Sequence, residues 1–403
     1  MIKNLIKKFL PSFVLDWYHF KLAFLGALIY RFPSRNLKVI GVTGTNGKST
    51  VVEMITKIFE TAGIPVASQS TIRFKIKDKE WPNTYKMTMP GRFFIQKFLR
   101  QSTDAGCQYA IIEVTSEGIK QFRHKFINFD AAVFTNLAPE HIEAHGNFEN
   151  YKKAKGKLFQ ITKNIHIINA DDKSADYFLQ FAAKKTYTFG LSKGDINYQN
   201  TNFKLQLLGD FNISNALAAI GAGISQGIST DICKRAVEKI TGIPGRMEMV
   251  VSEPFLVFVD YAFTPNALEK VYQTLTANYK LPSTKLVCLL GACGGGRDKW
   301  KRKVLGQIAA KYCDEIIVTN EDPYEENPEK IIREVASGAG RKAKTISDRR
   351  EAIKEALKIA RPNDAVVLTG KGSEPWICQA GGKKIPWDEK KAVLEEMAEL
   401  KNH

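Results

Sequence analysis

Ten residues, GVTGTNGKST from Gly41 to Thr50, are of the types that hold a phosphate. Spaced glycines let a backbone present its N–H groups, a lysine adds a full charge, and a hydroxyl can ligate a metal ion. The usual spacing, Gly-x-x-x-x-Gly-Lys-Ser/Thr, would need a glycine at Val42; instead Gly41, Gly44 and Gly47 stand three apart before Lys48. Gly44, Thr45, Asn46, Gly47, Lys48, Ser49 and Thr50 are read as a cradle for ATP. Lys48 would reach the β- and γ-phosphates, and Ser49 or Thr50 would ligate Mg²⁺.

Two further stretches carry ionisable groups. In IIEVTSEGI, Glu113 closes an apolar run, where a carboxylate can hold the Mg²⁺ that bridges nucleotide phosphates. Alone, such a glutamate serves as readily in a helix cap or an ion pair. In FTNLAPEHIEAHGNFENYKKAKGKLF, residues 134 to 159, His141 and His145 stand beside Glu140 and Glu143, ahead of a helix carrying Lys155. A histidine in acidic company after a strand is read as a ligand; on physical grounds a helical lysine such as Lys155 reads as solvated.

The elements that must position these groups are legible as apolar runs. KVIGV, YAIIEV, AAVFTN and IHIIN are followed, after a gap, by LVFVD, LVCLLG, EIIVT and AVVLT. Such β-branched runs separated by helical stretches predict parallel sheets buried on both faces. The runs end at Glu113, Asn136, Asn169, Asp260, Gly291, Thr319 and Gly370, polar or glycine nearly throughout, as expected where ligands bind beyond strand carboxyl ends. TGIPGRMEMV, residues 241–250, marks a boundary. The fold class expected is α/β. A short basic helical segment (1–37) precedes a central P-loop ATPase domain with a mainly parallel sheet (38–243) and a C-terminal Rossmann-like domain (244–403).

Composition narrows the partners. The chain has 403 residues, is 44% hydrophobic and 25% charged, and carries a formal charge of +17, which suits anionic partners. Its basic residues are dispersed and no nucleic-acid motif accompanies them, so no nucleic acid is expected. The six cysteines form no CxxC pair, and reduced cytoplasmic thiols are expected rather than a disulfide framework or a zinc site. MIKNLIKKFL places Ile2, Leu5, Ile6, Phe9 and Leu10 opposite Lys3, Lys7 and Lys8, and LAFLGALIY follows Pro11. Nine apolar residues cannot span a bilayer, which needs about 20, and no signal-peptide cleavage site follows. Two readings stay open: helices packed on the protein body, or a basic amphipathic foot resting peripherally on the inner membrane surface.

GVTGTNGKST, TNLAPEHIEAHG followed by YKKAK, LLGDFNISNALAA, GRME, DYAFTP, GACGGGRDKWKR and GKGSE together resemble the Mur ligases, in the family's order and from near residue 38 to the C-terminus. The MurE type, which adds the third amino acid to UDP-N-acetylmuramoyl-dipeptide in bacterial cell-wall synthesis, is the most similar. The resemblance implies an ATP-dependent ligase that turns a carboxylate into an acyl phosphate, on which an amine forms an amide. It implies two Mg²⁺ ions, metal roles for Ser49, Glu113 and His141, and a carbamylated Lys155 that serves the second ion. Asn215 matches the family's adenine contact, and Arg246 and Asp260 match nucleotide contacts between domains. Thr88 in TMP, Ser116 and Arg123 match positions facing the muramoyl-peptide, and Glu374 matches one that binds the incoming amine. A second domain closing over the acyl phosphate, a cytoplasmic location and a monomer are expected.

The departures bear on substrates. MurE proteins usually carry an N-terminal domain of roughly a hundred residues that grips UDP, and here the phosphate loop begins at Gly41. Either other surfaces hold UDP or the acceptor is linked differently, for example to lipid. Enzymes adding diaminopimelate show Asp-Asn-Pro-Arg, whose arginine pairs with the distal carboxylate; this chain has NEDPYEENP, with Tyr324 in the arginine position. Glu321, Asp322, Glu325 and Glu326 would favour a basic or diamino acid, or form a solvated acidic loop, and Arg297 or Lys301 could replace the missing arginine. Ser373, Phe263 and Glu117 stand where the family has histidines. Another amide ligase of the superfamily, similar to folylpolyglutamate synthase or cyanophycin synthetase, is one alternative; a nucleotide-binding scaffold at the membrane is another.

Overall fold

A computed structural model describes residues 12–279 and 282–401, so the lysine-rich face expected over residues 1–10 lies outside the described residues. The chain forms two compact units. The first holds residues up to Leu137, Glu149–Leu205 and Asn212–Lys239; the second holds Ala138–Phe148, Gln206–Phe211 and the chain from Ile240 onward. No helix among the described residues is long and apolar enough to cross a membrane.

Nine strands build the first unit's sheet: β1 (Lys38–Thr43), β2 (Val66–Gln69), β3 (Arg73–Ile76), β4 (Lys79–Pro82), β5 (Tyr109–Glu113), β6 (Phe129–Phe134), β7 (Ile165–Asn169), β8 (Lys185–Gly190) and β9 (Ile196–Asn197). Their order is β4-β3-β2-β5-β1-β6-β7-β8-β9. Only β3 runs against the rest, pairing antiparallel with β2 and β4. β1 therefore lies between β5 and β6, with Val42 paired to Glu113 and Thr43 to Phe134. That register sets the two other site-bearing strand ends beside the phosphate loop.

The helices that matter here are α1 (Ser12–Ile29), α2 (Lys48–Thr61), α3 (Arg92–Asp104), α4 (Ser116–Lys120), α5 (Ile142–His145), α6 (Phe148–Ile161) and α7 (Asp210–Ser225). α6 buries Tyr151, Ala154, Lys155, Leu158 and Phe159, a run at helical spacing on one face. Phe159 meets Phe134 and Phe178 in an aromatic cluster in which the last two stack at 3.8 Å. Lys155 thus lies on the inward face of its helix, which corrects its reading as a solvated lysine.

The second unit carries β10 (Glu248–Val251), β11 (Leu256–Val259), β12 (Leu286–Leu290), β13 (Glu315–Thr319), β14 (Ala343–Ile346) and β15 (Ala365–Leu368), ordered β10-β11-β15-β12-β13-β14. A hairpin of β16 (Trp376–Cys378) and β17 (Lys384–Pro386) is added. Alternate residues of the central strands enter different cores. Phe258, Cys288, Leu290 and Val367 pack under α8 (Pro265–Tyr279), α9 (Lys301–Tyr312) and α10 (Pro328–Ala339). Val257, Val287, Leu289 and Val366 pack under α11 (Arg349–Ile359) and α12 (Glu389–Lys401). Burial on both faces explains why these strands are apolar without alternation.

Cys288 and Cys313 form a disulfide, correcting the expectation that all six cysteines are reduced. β13 pairs with β12 so that Val287 faces Glu315, which brings Cys313, just ahead of β13, to Cys288. Their separation of 25 residues gives no local sign of it. Cys107, Cys233, Cys293 and Cys378 are free thiols.

Arg349 ties the second unit together where the strands end. It is 2% exposed, donates from Nε to Glu389 at 2.9 Å, and donates to the carbonyls of Asn320 and Thr369 just beyond β13 and β15. Arg349→Met leaves Glu389 buried without its cation, which costs about 3–5 kcal/mol when a buried pair is broken from one side. Urea unfolding of that variant should show the loss, and Arg349→Met/Glu389→Leu should recover most of it; a single-variant loss below about 1 kcal/mol would mean the pair is idle.

Candidate active site

The loop between β1 and α2 is held from behind. Thr135 Oγ1 and Asn136 Nδ2, just past β6, donate to the carbonyl of Asn46 at 2.7 and 3.0 Å. The N–H groups of Thr45 and Asn46 donate to the Asn136 carbonyl and its Oδ1 at 2.8 and 3.0 Å. Lys48 Nζ donates to the Thr45 carbonyl at 2.9 Å, and Lys155 Nζ to the Gly44 carbonyl at 2.6 Å. Three consecutive carbonyls are thereby turned inward and occupied, while α2 starts at Lys48 with its first N–H groups unpaired within the helix.

Two glycines are required here. Gly44 has φ +152° and a Cβ on it would lie 1.9 Å from Thr135 Oγ1. Gly47 has φ +80°, and its Cβ would meet Asn215 Oδ1 at 2.2 Å. Asn215 of α7 is buried against the loop, with Nδ2 donating to Asn212 at 3.3 Å.

Glu113 is 2% exposed and collects donors: Ser49 Oγ at 2.8 Å, the Thr71 N–H at 2.8 Å and Thr71 Oγ1 at 3.0 Å, with Lys48 Nζ 3.9 Å away. Ser49 and Glu113 thus present hard oxygen atoms side by side, a donor set that fits Mg²⁺. Thr71 extends the chain, since its hydroxyl lies 2.7 Å from that of Thr88. Beside these groups Lys155 is buried, and its pKa falls well below the ordinary lysine value because burial disfavours the ammonium and Lys48 repels it, with Glu113 opposing. Its Nζ also lies 4.7 Å from the centre of the Tyr151 ring.

Thr88, Ser116 and Arg123 lie in the same unit. Ser116 is buried at the start of α4, which Thr115 caps by accepting from Gly118 at 3.0 Å. Arg123 donates to Gln121 at 2.7 Å and to the Met89 carbonyl. Arg92, at the start of α3, adds a second guanidinium: burial first and then repulsion from Arg123 lower its pKa. Arg92 Nε and Nη2 and Arg123 Nε have no hydrogen-bond partner among the described residues. Two half-buried cations in one place suit an anionic ligand.

The other expected residues belong to the second unit. His141 adopts a left-handed conformation ahead of α5. Asp298 accepts the α5 N–H groups of Ile142 and Glu143 at 3.2 and 2.9 Å, and Lys301 forms a buried 2.7 Å ion pair with Glu140. The GGGRDKWKR stretch thus secures the PEHIE stretch. Burial raises the Glu140 pKa, with Lys301 opposing. Asp260 accepts from the Met247 and Ala262 N–H groups at 2.7 and 2.6 Å, and Arg246 stacks on Tyr261 at 4.3 Å. Arg297 is half-buried, and although burial, the largest influence, lowers its pKa, the neighbouring Cys293, Tyr261, Tyr324 and Glu140 raise it above the ordinary value.

The NEDPYEENP stretch is not a solvated acidic loop. Glu321 and Asp322 are each 1% exposed. Lys371 pairs with Asp322 at 3.1 Å and with Glu374 at 3.0 Å, while Tyr261 donates to Glu374 at 2.7 Å. Glu325 accepts from the Gly381 N–H at 3.0 Å, and Glu326 pairs with Arg302 at 3.0 Å. Glu321 accepts from the Cys293 thiol at 2.8 Å, and its Oε2 has no partner among the described residues. Tyr324 sits against Gly295, where a Cβ would come within 2.6 Å of its ring.

Thr71, Tyr151 and Arg92 in the first unit and Lys371 in the second were not foreseen. Tyr151 and Lys155 stand four apart on α6, which could have signalled a shared face. Thr71, Arg92 and Lys371 gave no local sign.

Comparison with known proteins matches residues 42–223 to a family described as the Mur ligase middle domain and residues 245–372 to the Mur ligase glutamate ligase domain. A UDP-N-acetylmuramyl-tripeptide synthetase from Roseiflexus sp. is 34% identical, over 94% of this chain and 82% of its own. A UDP-N-acetylmuramoyl-L-alanyl-D-glutamate–2,6-diaminopimelate ligase from Syntrophomonas wolfei is 36% identical, over 93% and 81%. A solved structure of a ligase of the latter name superposes with a TM-score of 0.60 at 30% identity, over 91% and 79% of the chains.

Gly47→Ala should weaken ATP binding by about one to two orders of magnitude, since left-handed strain in a non-glycine residue costs about 1–3 kcal/mol. Calorimetric titration with ATP checks this, and unchanged affinity would mean that the left-handed turn is not used.

Proposed function

This chain belongs to the Mur ligase family of ATP-dependent ligases, which use ATP and Mg²⁺, and we propose that it joins an amino acid to the terminal carboxylate of a muramoyl-peptide precursor of peptidoglycan. The observation that carries this reading is the cluster of Lys48, Ser49, Glu113 and Lys155 at the phosphate loop.

The acceptor carboxylate attacks the γ-phosphorus of ATP; the bond to ADP breaks and an acyl phosphate forms. The amine then attacks the acyl carbon, phosphate leaves, and the amide nitrogen loses a proton. Both reactants of the first step are anions, so their repulsion is the barrier to lower. Lys48 would face the β- and γ-phosphates, and the start of α2 would add a positive dipole end. Ser49 and Glu113 would hold Mg²⁺, which supplies further charge neutralisation. Arg92 and Arg123 would orient the acceptor's anionic groups, with Thr88 and Ser116 nearby in the same unit.

Lys155 is read as the carbamylated lysine. Carbamylation needs a neutral amine, R–NH₂ + CO₂ → R–NH–COO⁻ + H⁺, and burial, with repulsion from Lys48, shifts this lysine toward that form. The product carboxylate would then face the Lys48 ammonium and add an oxygen donor. His141 is assigned to the metal, Asn215 to adenine, and Arg246 and Asp260 to nucleotide. For the incoming amino acid, Glu374 and Glu321 are read as carboxylates for its amines, and a diamino acid is the substrate class proposed.

Phosphate release should be measured with ATP, Mg²⁺ and UDP-N-acetylmuramoyl-dipeptide across lysine, ornithine, diaminopimelate and neutral amino acids. Release that depends on one diamino acid is expected; silence with all of them, from protein that binds ATP, would remove this acceptor. Lys155→Ala should lose about 10²–10³ of turnover, the scale of one preorganised charge-stabilising group. Short carboxylic acids occupying the vacated position should restore part of it. Full activity in the unrescued variant would sink the carbamate assignment.

A further inference from the structure

α1 is folded inside out. A helix on a soluble protein buries its large apolar residues and exposes its polar ones. Here the buried positions are the small ones, Ala23, Gly26 and Ala27, spaced three and one apart. Gly26 lies so near the start of α3 that a Cβ on it would be 3.5 Å from the Phe93 Cα. The large apolar side chains point away. Trp17, Tyr18, Phe20, Phe24, Leu25, Leu28 and Ile29 make seven of the sixteen exposed large apolar residues among those described, and all fall within 13 positions. Trp17, Phe20, Phe24 and Leu28 follow one another at helical spacing, so they form a stripe rather than scattered residues.

The surround is basic. Lys21 lies 3.6 Å over the Trp17 ring, and exposed Arg31 and Arg35 follow the helix, against one acid, Asp16. Phe122 and Phe126 extend the apolar area by meeting Phe20 and Phe24 at 6.4 and 5.4 Å, flanked in sequence by Lys120 and Lys125. An apolar stripe rimmed by cations, on a helix not long and apolar enough to span, matches a surface that lies in the headgroup region of an anionic bilayer.

We propose that the exposed face of α1 docks this protein on an anionic phospholipid membrane, its aromatic and aliphatic residues entering the headgroup boundary while Lys21, Arg31 and Arg35 meet lipid phosphates. A second copy of the chain would also want an apolar face, but it would meet the same cations and repel them; lipid phosphate does not. The inference is independent of which acceptor the ligase uses.

The full-length protein should be sedimented with vesicles of phosphatidylcholine alone and with about 30% phosphatidylglycerol, in low and high salt, beside Leu25→Ser/Leu28→Ser/Ile29→Ser. These three residues lie outside the ligase cluster, and a thermal melt and ATP affinity equal to the parent's would certify the variant's fold. Binding to the anionic vesicles, weakened at least about tenfold by high salt and at least about tenfold by the substitutions, is expected. Equal binding by parent and variant, or none to either vesicle, overturns the proposal. So does a concentration-dependent dimer seen by sedimentation without lipid and abolished in the variant, because a second copy would then be what covers the face.

Discussion

Three backbone carbonyls at the root of the phosphate loop impose the strictest demand on this fold. A loop that turns N–H groups toward an anion must turn carbonyls the other way, and buried carbonyls need donors. Those of Gly44, Thr45 and Asn46 are met in turn by Lys155, Lys48, and Thr135 with Asn136. Each donor comes from a different place: the inward face of α6, the first turn of α2, and the end of β6. The sheet order β5-β1-β6 is therefore not interchangeable with another. It puts Glu113 on one side of the loop and the Thr135–Asn136 pair on the other.

That arrangement sets the surroundings of Lys155 as well. Its ammonium would be buried beside another cation, with the Glu113 carboxylate, one carbonyl and one aromatic face for company. Burial and the neighbouring cation shift this lysine toward the neutral amine, while its Nζ satisfies the Gly44 carbonyl.

Eight strands were readable because both sheets bury both faces, and runs such as IHIIN and EIIVT coincide with β7 and β13 to the residue. Those missed are short or polar. β4 is KEWP and wholly exposed, and β2 is VASQ, whose small residues carry no period. Within the site, the phosphate loop and Glu113 were visible because glycine spacing and a strand-end carboxylate leave local marks. Thr71, Arg92 and the Cys288–Cys313 disulfide left none, since each acquires its meaning from a neighbour brought in by topology. A role for Lys155 was proposed by the resemblance to the family alone; what the packing of α6 adds is that the side chain is buried.

Charge bookkeeping in the second unit bears on selectivity in a way that counting acids along the sequence does not. Asp322, Glu325 and Glu326 are consumed by Lys371, by a backbone N–H and by Arg302. Glu374 shares Lys371 with Asp322, so an incoming ammonium would compete with a resident one. Among the acids of NEDPYEENP, Glu321 keeps one oxygen, Oε2, buried without a partner among the described residues, and its other oxygen is met by a thiol. A tyrosine at position 324 removes one cation from this neighbourhood and Arg297 retains another. Arg349 adds a guanidinium within electrostatic reach of Glu321 and Asp322, so the acidic run carries less free charge than its sequence suggests.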